Sequence, residues 1–79
     1  MSPTVLRYKN YRFFFFSREE SRVHIHVNSP VGEAKFWIKP IIILATYEGY
    51  SKKQLLELQK IVEENQDEIK KAWKKHFKS

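Results

Sequence analysis

Two of the chain's three histidines, His24 and His26, stand two apart in the stretch SRVHIHV. Strand side chains alternate between faces, so the two imidazoles share one face and Val23, Ile25 and Val27 share the other. Residues so spaced lie roughly 6 to 7 Å apart along a strand, close enough to grip one metal ion or one phosphate. A closed zinc site needs four ligands and a catalytic one three, so a histidine pair would need a carboxylate from Glu19, Glu20 or Glu33. Without a metal, a neutral imidazole can act as base and a protonated one as acid, as in RNA cleavage through the 2′-hydroxyl. Contact with a partner protein or RNA is a third use of the pair. The competing account is a polar strand face, hydrogen-bonded or half solvated.

Arginine supplies a second candidate. If Lys9-Asn10 is a two-residue hairpin loop, Tyr8 faces Tyr11, Arg7 faces Arg12 and Leu6 faces Phe13. Like charges opposite one another are mildly destabilising, and a carboxylate or phosphate between the guanidiniums would remove that cost. Both arginines could equally point into solvent or pair with Glu19, Glu20 or Glu33.

A third candidate is the lysine group Lys70, Lys71, Lys74, Lys75 and Lys78, which helical spacing puts on one side, opposite Ile69, Trp73 and Phe77. Such a stripe can track the phosphates of a nucleic acid. It can also be a solvated face whose cations suit the helix C-terminal dipole. The run Phe13–Phe16 is the fourth. Alternation sends Phe13 and Phe15 to one face, and Phe14 and Phe16 to the other. If helices cover one face only, the second pair forms an exposed apolar patch that a protein partner or another copy would cover.

Composition closes several routes. Two glycines are too few for a phosphate loop or a dinucleotide fingerprint, and no Gly-x-Ser-x-Gly elbow is present. Without cysteine there is no disulfide, thiolate zinc site or thiol nucleophile, and a reducing, cytoplasmic setting is the simpler reading. No apolar run approaches the roughly 20 residues of a membrane span, and no cofactor is implied. The net charge of +6 suits an acidic partner. It is split between the ends: residues 1–30 contribute +3, residues 31–50 are neutral, and residues 51–79 contribute +3.

The elements that must hold these groups divide the 79 residues, taken as one domain, into a strand half (about 4–44) and a helical half (about 51–78). Strands are expected at 5–8, 11–16, 22–27 and 33–38, with 41–44 a short apolar edge strand after Pro40. Asn28-Ser29-Pro30-Val31-Gly32 is dense in turn formers. Ser51 and Gln54 form a capping box, and Leu55, Leu58, Ile61 and Val62 line one helical face. Asn65 ahead of Asp67 and Glu68 resembles a fresh N-cap, so either one long kinked helix or two short ones follow. The fold class is α+β: a small antiparallel sheet packed by C-terminal helices.

Pro3-Thr4-Val5, Tyr11-Arg12-Phe13, His24-Ile25-His26-Val27, Glu33-Ala34-Lys35-Phe36-Trp37 and the closing Glu68–Phe77 stretch with Trp73 stand in order. In this the chain resembles the small bacterial domain-of-unknown-function family 4160 over nearly its whole length. The family's usual Pro-Pro ahead of the first histidine is here Arg22-Val23. The resemblance implies one half of a two-gene, toxin–antitoxin-like pair, with a partner protein and an RNA target as expected ligands. The expectation is therefore a small cytoplasmic binding module in such a pair. An RNA-directed nuclease using His24 and His26 is the alternative, and a structural, homo-oligomerising domain a third.

Overall fold

The Lys9-Asn10 loop closes the first hairpin in the register the sequence implies, with Tyr8 opposite Tyr11, Arg7 opposite Arg12 and Leu6 opposite Phe13. Lys9 takes the positive φ of 56° that so tight a turn demands. Its ammonium reaches Glu57 at 2.8 Å, tying the loop to the first helix. In the computed structural model, which describes residues 4–16 and 22–77, five strands precede two helices. The strands are β1 (Thr4–Tyr8), β2 (Tyr11–Phe14), β3 (His24–Ser29), β4 (Gly32–Trp37) and β5 (Ile43–Glu48). The helices are α1 (Lys52–Glu64) and α2 (Gln66–His76). The sheet is an antiparallel meander in sequence order, so the fold is α+β.

Alternation builds the core. Phe13, Ile25, Val27, Ala34 and Phe36 face the helices and are buried against Leu58, Ile61, Val62 and Ile69. Burying a phenyl or an isobutyl side chain contributes roughly 1.5 to 3 kcal/mol, so this two-layer core carries most of the favourable energy. Phe15 follows the end of β2 and is also buried, against Trp73, His76 and Phe77.

Several details differ from the sequence expectation; β2 ends at Phe14 rather than Phe16. The last strand runs over Ile43–Glu48 rather than 41–44. Pro40 has no N–H to pair, and Ile41 is exposed, so pairing with β4 begins only at Ile43 opposite Trp37. The third strand starts at His24, two residues late, and runs on to Ser29. The helical half is two helices, and Asn65 occupies the N-cap position of the second without a side-chain capping bond. Its side-chain amide donates back to the Ile61 carbonyl at 2.8 Å, closing the end of α1. The Ser51–Gln54 capping box forms in both directions.

Tyr50 anchors the turn into α1. Its hydroxyl donates to the Gly32 carbonyl at 2.9 Å and lies 2.9 Å from the Ser29 hydroxyl, and burial pushes its pKa up. The β3–β4 turn and the β5–α1 turn approach so closely that a Cβ on Gly49, at φ 85°, would meet the Val31 carbonyl.

Candidate functional site

His24 and His26 do project side by side, with ring centroids 5.1 Å apart. Their surroundings are unlike. His24 is 0 % exposed, and its Nδ1 lies 2.7 Å from the Arg22 carbonyl oxygen. Strand alternation turns it away from the helices, yet α2 buries it. Trp73 reaches the corner where β2 stops and β3 starts, touching both Phe15 (5.2 Å) and His24 (5.1 Å). Trp37, opposite His24 in β4, closes another side at 5.4 Å. His24 is thus a wedge between two indoles. His26 is half-buried, stacked on Phe14 at 5.6 Å and edge-on to Phe16 at 4.4 Å.

The arginine pair separates in role. Arg12 donates from Nε to the Thr4 hydroxyl at 2.7 Å and lays its guanidinium over Phe14, 4.6 Å from the ring centre. Phe14 in turn stacks on His26, so a ring links Arg12 to the histidine region. Arg7 is exposed on edge strand β1. The expected patch of two bare phenyls is reduced to one. Phe14 is 6 % exposed under Arg12 and His26, whereas Phe16 is 45 % exposed.

The lysine stripe divides around Trp73. Lys70, Lys71 and Lys74 border a cleft of about 300 Å³ with Val23, Trp73 and Lys39, the last from the segment after β4. Among the described residues no carboxylate lines it. Lys75 stands on the other flank of α2, beside Phe15 and Thr4 in a separate groove. Lys78, Glu19 and Glu20 lie outside the described residues. Next to the cleft, Arg22 donates from Nε to the Lys39 carbonyl at 2.9 Å and stacks its guanidinium on Trp37 at 4.3 Å. The Lys35 ammonium stands 4.3 Å from the centre of the same indole. Cations over an indole are held by the ring's quadrupole, about 0.5 to 1 kcal/mol each when exposed.

Sequence reasoning missed Arg22, Lys39 and Trp37 as members of this cluster. The two-residue Pro30-Val31 turn would set Trp37 opposite His24, a signal present but unused. Nothing local foretells that Lys39 meets α2. The other basic contact, Lys9 with Glu57, lies at the far end of the first hairpin. Its hydrogen bond holds Glu57 below the ordinary carboxylate value of 4.5 and raises Lys9 above 10.5. Among the described residues no three His, Asp or Glu side chains gather around a common point.

Residues 10–74 match the family model described as a domain of unknown function, DUF4160. The chain belongs to this family. No curated protein and no solved structure matches it. Membership rests on the stretch from the first hairpin loop through Lys74, which contains His24, His26, both tryptophans and the lysine cleft. No helix among the described residues is long and apolar enough to cross a membrane.

Proposed function

We propose that the protein is a small cytoplasmic binding module, one half of a toxin–antitoxin-like two-protein pair, and that its partner adds a strand to β5. The observation that carries this reading is the state of that edge. Among the described strands β5 pairs with β4 alone, and Ile41, Ile43 and Tyr47, on and just before it, are 62 %, 43 % and 57 % exposed. Charged side chains, especially lysine, blunt the edges of many sheets; the Ile43–Glu48 strand contains none before Glu48. An extended segment of a partner gains main-chain hydrogen bonds there, and its side chains can cover Ile43 and Tyr47.

The nuclease reading draws less support. A general acid and base must both reach the substrate, and His24 is wholly enclosed with one ring nitrogen engaged by a backbone carbonyl. The geometry favours His24 as a positioning residue for Trp37 and Trp73. Arg7, Arg12 and Lys75 contribute to surface charge around this core rather than to one common pocket.

The test is a pull-down from nuclease-treated native lysate with the wild type and Ile43→Lys/Tyr47→Lys. We expect a stoichiometric protein partner with the wild type and its loss with the double variant, at unchanged thermal stability. Retention of that partner by the double variant would sink the β5 reading. Light scattering on the isolated chain adds the remaining alternative: a dimer dissolved by the same substitutions would make the partner a second copy.

A further inference from the structure

We propose that the cleft between Lys39 and α2 binds single-stranded nucleic acid, with a base against Trp73 and the adjacent phosphates on Lys39, Lys70, Lys71 and Lys74. This site is separate from the β5 edge and stands or falls independently of it.

Three observations carry the inference. First, the fold gathers like charges from distant parts of the chain into one cleft of about 300 Å³, with no carboxylate among the described residues of its walls. Among the described residues none of Lys39, Lys71 and Lys74 has an ion pair; Lys70 reaches only the neutral Gln66 amide, at 3.3 Å. Such an arrangement is self-repelling, and an anion is what relieves it. Second, the cleft has an aromatic wall. Trp73 is only half-buried although its ring also packs on Phe15, His24 and Phe77, so a fixed indole edges the lysine-bordered opening. Third, the neighbouring Trp37 already holds Arg22 on one contact and Lys35 on another. Tryptophan beside cation, repeated on both sides of His24, is the chemistry that accepts alternating bases and phosphates.

The same chemistry argues for a single strand. Bases in a duplex are stacked on one another and offer no free face, whereas an unpaired strand can splay a base onto an indole. An acidic peptide would satisfy the lysines but has no use for the aromatic wall. His24 serves this site without touching the ligand, by fixing the two indoles relative to each other.

The experiment uses the full chain, with the indole emission of the wild type compared with that of Trp37→Phe to isolate the signal of Trp73. The probes are labelled single-stranded RNA, single-stranded DNA of the same sequence, the matching duplex and poly-glutamate, each titrated by anisotropy across a salt series. We expect quenching of Trp73 by either single strand, with the RNA-to-DNA ratio reporting whether the sugar is read. The logarithm of affinity should fall with the logarithm of salt by about 0.7 per phosphate contacted. Lys71→Gln/Lys74→Gln should weaken low-salt binding roughly tenfold and reduce that slope by about one to one and a half, with an unaltered circular dichroism spectrum. Lys52→Gln/Lys53→Gln, at the start of α1, removes the same charge elsewhere and should retain most of the affinity. Equal losses in the two double variants, tighter binding of poly-glutamate or the duplex, binding without quenching, or no binding at low salt would each overturn the proposal.

Discussion

His24 and His26 have the same side chain, the same strand and the same nominal face, yet their environments are not equivalent. His24 fills space between Trp37, Trp73 and His26 and holds the Arg22 carbonyl. Shortening it leaves a gap that rigid rings cannot close, and it disturbs a hydrogen bond made inside the protein. His24→Asn should therefore cost about 2 to 3 kcal/mol of unfolding free energy, the range of buried packing changes. His26→Asn, at a half-buried site, should cost less than about 1 kcal/mol. Denaturant unfolding of the two single variants checks this. Equal losses would mean that the wedge role assigned to His24 is mistaken.

At the scale of elements, the links between sheet and helices are specific and unequal. α2 is held where Trp73 and Phe77 meet Phe15. The hairpin end near α1 is held by Lys9 and Glu57 across the surface. Glu57 is depressed below its ordinary value, so its contribution is present above pH 4.5 and disappears as the pH falls through the folded value. Lys9 is raised, so its contribution is intact below 10.5 and disappears only as the pH rises through the folded value. The stability difference between wild type and Glu57→Gln should thus be flat between roughly pH 6 and 9 and should shrink in acid, below the usual carboxylate pKa. Because both partners are solvent-accessible, the flat part should be small and weakened by salt. Thermal melts across pH would show a parallel offset at every pH if the ion pair were irrelevant.

For the molecule as a whole, the dominant fact is a net charge of +6 on 79 residues, with four of its lysines brought together around one cleft. Repulsion of this kind opposes the compact state and is relieved by screening. Added neutral salt should raise the melting temperature of the isolated chain, and the rise should be smaller for Lys71→Gln/Lys74→Gln, whose low-salt stability should exceed that of the wild type. A salt response identical in both proteins would show that the lysine cleft carries no strain. The same chain buries Phe13, Phe14 and Phe15 without help. Phe16, 45 % exposed, is what remains of the run at the surface, and the proposed partner surface is the exposed β5 edge.

Much of this was legible before any tertiary contact. The Lys9-Asn10 hairpin and its register, the Ser51–Gln54 box, the apolar stripe of α1 and the shared face of His24 and His26 all follow from local turn chemistry and from periods of 2 and 3.6. Those periods are properties of the backbone, so a short window of sequence suffices to read them. The break at Asn65 was visible too, but not which helix its side chain would close, because an amide can serve either neighbour. What the linear chain left open is everything that depends on one element reaching another. Trp73 crosses to the corner of β2 and β3 and buries a histidine that alternation alone would leave on the outer face. Lys39 comes to stand with Lys70, Lys71 and Lys74 although about 30 residues separate them in sequence. The reason is physical: a side chain's direction is set by its own backbone, but its burial and its charged neighbours are set by whichever element packs against it.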